Sequence, residues 1–285
     1  MDFSIIIVSW NVKNKLADNL KSILASSGAS FEIIVVDNAS NDGTAEMIRT
    51  DFPQVQLIAN SLNLGFAKAC NQGLARSSGS FLLLLNPDML LRPTTLSDCL
   101  NWLKNEPRAA ITGIKLKDSQ GNNIAQIRRF PALGDQLAIV LKLAHLAPAL
   151  LDNYLRRDFD YKSAQRVDSI RGAFFIIRRS AYEALGPLDE RYFLWFEEVD
   201  YCRRAKDKGL EVWYTPSAEA IDFVGQSFEQ VPRSTKQKYF HASMISYFEK
   251  WQPAWQAKLL EVAWDFSEGI MALADLFNLK GRTKT

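Results

Sequence analysis

Acidic residues at four places have the types and surroundings for chemistry. Asp88 closes Phe81-Leu82-Leu83-Leu84-Leu85-Asn86-Pro87-Asp88, in which five apolar residues run into a carboxylate that cannot belong to their core. In an open parallel sheet, ligands gather at the carboxyl ends of strands, so Asp88 is placed to hold a divalent cation or a diphosphate. Asp37 follows Phe31 to Val36 in the same way and can accept hydrogen bonds from a base imide or ribose hydroxyls. Glu197, Glu198 and Asp200 open a helix-like stretch beside Trp195 and Phe196. Partial desolvation there would raise their basicity and suit a base that takes a proton from a hydroxyl near neutral pH. Asp222 is a further hard oxygen ligand, followed by Gly225-Gln226-Ser227 as phosphate donors. Each site also has a plain reading. Asn86-Pro87-Asp88 and Asp37 to Gly43 are rich in turn formers. Acids in a first helical turn are favoured by the helix dipole, and Asp222 alone reads as a surface acid.

The elements that must position these groups follow from apolar patterning. Phe3 to Val8, Phe31 to Val36 and the run ending at Leu85 are short and apolar, as strands covered on both faces are, and Val55 to Ala59 reads as a third strand before the last of them. Between them, Lys15 to Ala25, Ala45 to Asp51 and Phe66 to Arg76 carry helical spacing. This βαβαβαβ order predicts a doubly wound, mostly parallel α/β sheet with right-handed crossovers. Asn63-Leu64-Gly65 opens the helix from Phe66, where Gly65 lets backbone amides approach an anion; a turn plus cap explains it as well.

Beyond a helix over Pro93 to Lys104, a strand is expected over Ala109 to Lys117, with a hairpin-like turn at Asp118 to Asn122. Leu133 to Leu155 carries one broad apolar face flanked by Arg156 and Arg157, which suits either a helical pair covering the core or a membrane surface. Val167 to Arg178 reads as a strand in which Gly172-Ala173 leaves room for a ligand or backbone. Val212 to Tyr214 reads as another short strand. From Pro253 to Leu279, Leu259, Ala263, Phe266, Ile270, Leu273 and Phe277 recur at helical intervals, with Trp255 and Trp264 nearby. Packing on the body of the protein, dimer formation and interfacial attachment all fit that pattern.

Composition bounds the function. With 285 residues, 47% of them hydrophobic, the chain can bury a substantial core. Lys and Arg number 34 against 32 Asp and Glu, which gives no whole-chain case for nucleic acid. Three scattered cysteines without Cys-x-x-Cys fit a reducing compartment, and two histidines exclude a His-rich metal site. No apolar stretch reaches the roughly 18 residues of a membrane span, and the opening strand leaves no signal peptide in view. A cytoplasmic protein is expected, with peripheral attachment to the inner face of the membrane as an option. Neither G-x-G-x-x-G nor a P-loop is present.

Taken as an ordered series, Val8-Ser9-Trp10-Asn11, Val36-Asp37-Asn38-Ala39-Ser40, Asn63-x-Gly65-Phe66-Ala67, Leu85-Asn86-Pro87-Asp88, Gly172-Ala173-Phe174, Asp189-Glu190-Arg191-Tyr192-Phe193, Glu197-Glu198-x-Asp200 and Gly225-Gln226-Ser227 resemble glycosyltransferase family 2. Arg128-Arg129-Phe130-Pro131 and Ser246-Tyr247-Phe248-x-Lys250 are similar to its rhamnosyltransferase-like members in bacterial cell-surface polysaccharide assembly. The resemblance implies a GT-A fold over residues 1–230, with a nucleotide half (1–104) and an acceptor half (105–230), followed by a helical region at 231–285. It implies inverting transfer of a sugar, rhamnose favoured, from a dTDP- or UDP-linked donor to a hydroxyl of a lipid-linked or oligosaccharide acceptor. Ser9, Asn11, Asp37, Asn63, Gly65, Asn86, Asp88 and Gly172 would bind the donor. Asp88 and Asp222 would hold Mg²⁺ or Mn²⁺, and Glu198 would be the general base, with Glu197 and Asp200 in reserve. Two departures stand out: Asp222 lies where many relatives carry histidine, and Glu198 where they carry aspartate. A nucleotidyltransferase and a catalytically inactive binding subunit are the competing readings; the first lacks its glycine-rich basic loop after the first strand.

Overall fold

The computed structural model describes residues 1–223 and 231–282, with side chains through Ile270. The N-terminal half runs β1 (Phe3–Ser9), α1 (Lys13–Leu24), β2 (Phe31–Asp37), α2 (Thr44–Asp51), β3 (Gln56–Ala59), α3 (Phe66–Arg76) and β4 (Phe81–Leu85). Then come β5 (Met89–Leu91), α4 (Thr95–Asn105), β6 (Ala109–Lys117), β7 (Ile127–Arg128) and α5 (Leu133–Val140). β8 (Gln165–Arg166), β9 (Ser169–Ile170), β10 (Phe174–Arg178), α6 (Arg179–Leu185), α7 (Glu197–Asp207) and β11 (Glu211–Asp222) follow, and α8 (Arg233–Trp251) and α9 (Ala254–Arg282) close the chain.

Strands order as β3-β2-β1-β4-β10-β6-β11-β5, with β8 on β11. The first four are parallel, whereas β10 runs antiparallel to both β4 and β6. Side-chain alternation explains why these strands are apolar throughout. Ile5 and Ile7 meet Leu16, Leu20 and Ile23 of α1 on one face, while Ile6, Leu82 and Leu84 meet Ala67, Cys70 and Leu74 of α3 on the other. Tyr201, Cys202 and Ala205 seat α7 on that second face. Both faces are therefore covered, as the expected doubly wound mixed sheet requires.

Several expectations from the second half change. The helix expected through Leu133 to Leu155 ends at Val140: Lys142 takes φ 57°, and the chain continues as two single 3₁₀ turns, Leu143–His145 and Pro148–Leu151. Pro148 has no N–H to give a continuing helix, and the residue before a proline is steered out of the α region. The strand expected through Val167 to Arg178 is divided. Its first part, β9, pairs with β7 in a separate two-stranded sheet, and only Phe174 onward enters the main sheet. Val212 to Tyr214 is the start of a twelve-residue strand, β11, whose pairing shifts between Thr215 and Glu219 around Pro216. Asp222 consequently ends a strand of the main sheet, paired with Met89, the residue after Asp88.

At the C-terminus, Met244, Tyr247 and Phe248 of α8 and Leu260 and Ala263 of α9 form one cluster with Tyr192 and Phe196. The last two residues lead directly into α7. The C-terminal helices are thus packed against the segment that aims the head of α7.

Candidate active site

A cavity of about 570 Å³ opens at the carboxyl ends of β1, β2 and β4. Because β10 is antiparallel to β4, its start meets the end of β4: Phe174 pairs with Leu85, and the Asn86 amide donates to the Ala173 carbonyl at 3.0 Å. This brings Arg171, Gly172 and Ala173 to the same rim as Asn86 and Asp88. Trp10, Asn38, Asn63, Gly65, Glu197, Glu198 and Tyr239 of α8 complete the wall.

Asn38 fixes the Asn63–Gly65 loop. Its Nδ2 donates to Asn63 Oδ1 at 2.8 Å, and its Oδ1 accepts from the Leu64 amide at 3.0 Å. Gly65 adopts φ +83°, and a Cβ there would lie 2.7 Å from the Phe193 carbonyl oxygen, so only glycine fits the turn into α3. That carbonyl accepts the Phe66 amide at 2.7 Å, which ties this loop to the segment before α7.

The head of α7 is held by two consecutive left-handed residues, Trp195 (φ 66°) and Phe196 (φ 67°). For bulky side chains this backbone costs on the order of 1–3 kcal/mol each, and it persists because the cluster around Phe196 holds it. Glu197 is 4% exposed, and one carboxyl oxygen of each of Glu197 and Glu198 has no hydrogen-bond partner among the described residues. Burial, then the charge of Glu198, pushes the Glu197 carboxyl well up. Burial also raises Glu198, offset by a backbone N–H and by the guanidiniums of Arg128 and Arg171. The two acids are adjacent and both raised, so they titrate as a pair.

Asp200, two residues on, is fully buried and saturated. It accepts from Trp251 Nε1 at 2.8 Å and Arg204 Nε at 3.1 Å, and Lys250 Nζ lies 2.7 Å away. Its partners make it a structural acid, in contrast to its two neighbours.

Among the expected site residues, Asn63, Gly65, Asn86, Asp88, Gly172 and Glu198 line the cavity, and Ser9, Asn11, Asp37 and Asp222 do not. Ser9 is fully buried at the end of β1. Asn11 clasps the neighbouring loop: its amide donates to Ser40 Oγ, and its Oδ1 accepts the Asn41 amide, each at 2.8 Å. Asp37 is 2% exposed; burial raises its carboxyl, the hydroxyl and amide of Ser40 oppose the rise, and Oδ1 has no hydrogen-bond partner among the described residues. Asp222 is 1% exposed, with Oδ2 2.9 Å from Arg171 Nη1. Gly225-Gln226-Ser227 lie outside the described residues. Trp10 and Asn38 stand in the sequence motifs with no role attached to either, and Arg171 stands in none. A polar residue one step beyond a strand end was the available signal for Asn38, and Arg171 had none.

No three His, Cys, Asp or Glu side chains converge on one point among the described residues. The cavity offers hard carboxylate oxygen at Asp88. That chemistry fits a Mg²⁺ or Mn²⁺ ion held by one or two carboxylates and completed by phosphate oxygens and water, and does not fit a resident all-protein cage.

Residues 4–186 match the family model for Glycosyl transferase family 2. The chain belongs to that family. It is 25% identical over 268 residues to an N-acetylglucosaminyl-diphospho-decaprenol L-rhamnosyltransferase of Mycobacterium tuberculosis, covering 90% of this chain and 87% of the relative. A low-salt glycan biosynthesis hexosyltransferase of Haloferax volcanii is 25% identical over 77% of this chain and 66% of its own. Among solved structures, a mannosyltransferase from Pyrobaculum calidifontis in complex with GDP-Man and Mn²⁺ superposes with TM-score 0.57, at 15% identity, over 96% of this chain and 75% of that one. GalNAc-T7 with UDP, GalNAc and Mn²⁺ gives 0.59 at 14% identity, over 86% and 48%. These likenesses carry the fold, and this family 2 glycosyltransferase has the GT-A architecture.

Proposed function

We propose that this glycosyltransferase moves a sugar, with rhamnose favoured, from a dTDP- or UDP-linked donor to a hydroxyl of a lipid-linked saccharide in cell-surface polysaccharide assembly, with inversion at the anomeric carbon. The observation that carries this reading is a single cavity that joins Asp88 at one strand end to the unsatisfied carboxyls at the head of α7. Inversion needs a base and a leaving group on opposite faces of the anomeric carbon, as in inverting hydrolases. Glu198 accepts the proton of the acceptor hydroxyl. Asn38 keeps the Asn63–Gly65 loop in its shape at the cavity wall, while Asp37, buried and outside the lining, holds the neighbouring turn through Ser40. Asp88 would hold a divalent ion, which when bound offsets charge on the departing diphosphate.

A panel of nucleotide sugars, with and without Mn²⁺, tests the donor by thermal shift. A donor at 100 times its Kd stabilises the fold by about 2.7 kcal/mol. We expect dTDP-rhamnose to give the largest shift, and transfer to an N-acetylglucosaminyl-diphospho-lipid to yield a product of inverted configuration by NMR. A panel in which no nucleotide sugar shifts the transition rules the reading out.

The membrane side of the proposal rests on α9. Trp255, Leu259, Val262, Phe266 and Ile270 form one exposed stripe, with Val262 at 65% and Phe266 at 62% exposure. Glu261, Asp265 and Glu268 lie near His241 of α8, on the helix's other flank. An exposed apolar stripe opposite the buried Ala257, Leu260 and Ala263 suits a helix lying in a lipid interface. No helix among the described residues is long and apolar enough to cross a membrane. Wild-type protein should co-sediment with phospholipid vesicles, and Val262→Asp with Phe266→Asp should abolish this while donor binding persists. Unchanged sedimentation of the double variant would remove the stripe from consideration.

A further inference from the structure

Arg171 stands in the connection from β9 to β10, where nothing in the sequence marked it. Its side chain is 28% exposed and lines the cavity. Among the described lining residues it is the one basic group, facing a wall that carries Asp88, Glu197 and Glu198. Its Nη1 is 2.9 Å from Oδ2 of Asp222, an acid 1% exposed at the end of β11. Asp222 is fixed by the sheet: its backbone pairs with Met89, and the next amide, Phe223, donates to the Asp88 carbonyl at 3.4 Å. A buried carboxylate on a strand end thus holds a guanidinium beside the strand end that carries Asp88.

We propose that Arg171 binds the donor diphosphate directly, and that Asp222 is its positioning residue and does not ligate a metal ion. This deepens the reading of the cavity as a nucleoside-diphosphate site and rests on it. A diphosphate entering a wall with three acids meets repulsion that one divalent ion at Asp88 only partly offsets. A guanidinium is permanently charged and carries five N–H donors, more than one carboxylate oxygen uses. It therefore has donors for phosphate oxygens while Asp222 keeps hold of its other edge. A cation at Oδ2 of Asp222 would compete with the guanidinium for an oxygen that is almost fully buried. Charge left unpaired in such a place is strongly unfavourable. Binding of the diphosphate then has two independent cationic supports, one bound with the nucleotide and one built into the chain.

The test is calorimetric titration of the full-length protein with UDP, dTDP and the matching monophosphates, in EDTA and in Mg²⁺. In EDTA the wild type should prefer the diphosphate over the monophosphate. Arg171→Ala should weaken diphosphate binding in EDTA on the order of 10–100-fold, as loss of a charged hydrogen bond does, with the monophosphate unchanged. The unchanged monophosphate affinity also reports an intact fold. Arg171→Lys should restore part of the loss, since a lysine keeps the charge without the fork. Asp222→Asn should reduce the same diphosphate preference, and Mn²⁺ binding to the nucleotide complex, read by electron paramagnetic resonance, should be unchanged. An unaltered diphosphate-to-monophosphate ratio in Arg171→Ala overturns the proposal. So does loss of Mn²⁺ binding in Asp222→Asn with the EDTA ratio intact, which would make Asp222 a metal ligand. A wild type that binds neither nucleotide overturns the underlying reading of the cavity instead.

Discussion

Glu198→Gln should lower the rate of sugar transfer by on the order of 10²–10⁴-fold, the contribution of a positioned general base, while nucleotide affinity stays within about twofold. The amide retains the shape of the carboxyl at the head of α7 and removes its ability to take a proton. The wild-type rate should rise with pH through a value above the ordinary glutamate pKa of 4.5, because burial raises Glu198. That rise should vanish from the variant's residual activity. A stability gain should accompany the loss. A carboxyl raised in the folded state contributes stability below its unfolded value and loses it as pH climbs through the folded one. Glutamine cannot ionise, so the variant should melt higher than the wild type at neutral pH and about equally below pH 4.5. Undiminished turnover would remove Glu198 from the mechanism and leave Glu197 as the alternative.

Asp200→Ala should have the largest effect on stability. The side chain is fully buried and joins Tyr192, Arg204, Lys250 and Trp251. Removing it strands buried positive charge and costs about 3–5 kcal/mol. For a chain of this size that corresponds to a fall in Tm of roughly 6–20 °C. Lys250 keeps Asp189 at 2.8 Å, so the loss should be partial unfolding resistance and not collapse. Asp200→Asn, which can still accept from Trp251, should recover part of the drop. A melting temperature within 2 °C of wild type for Asp200→Ala would show that the network is redundant, on the same scale.

The N-terminal half was legible because its elements obey local rules. An apolar run of four to seven residues, covered on both faces, can only be a buried strand in this context, and Phe66–Arg76 and Ala109–Lys117 fall where the pattern put them. Patterning could not show that β10 enters the sheet antiparallel between β4 and β6, because pairing partners leave no trace in one strand's own periodicity. Three-residue β5 was too short to display a period. Leu133 to Leu155 misled because apolar spacing persists through Pro148, and backbone geometry overrides spacing there. Acids at strand ends and at a helix start were visible from residue type. What Asp200 and Asp222 do was not, since their partners Trp251 and Arg171 are 51 residues apart from them in sequence in each case. Contacts at that range depend on the assembled sheet and helices.

The bond between Trp251 and Asp200 has a consequence for biogenesis. A ribosome delivers α7, with Asp200 and its Arg204 partner, before it delivers Lys250 and Trp251, which complete the contacts of that buried acid. A nascent chain stalled ahead of Lys250 therefore has the sheet motifs complete while Asp200 lacks two of its partners.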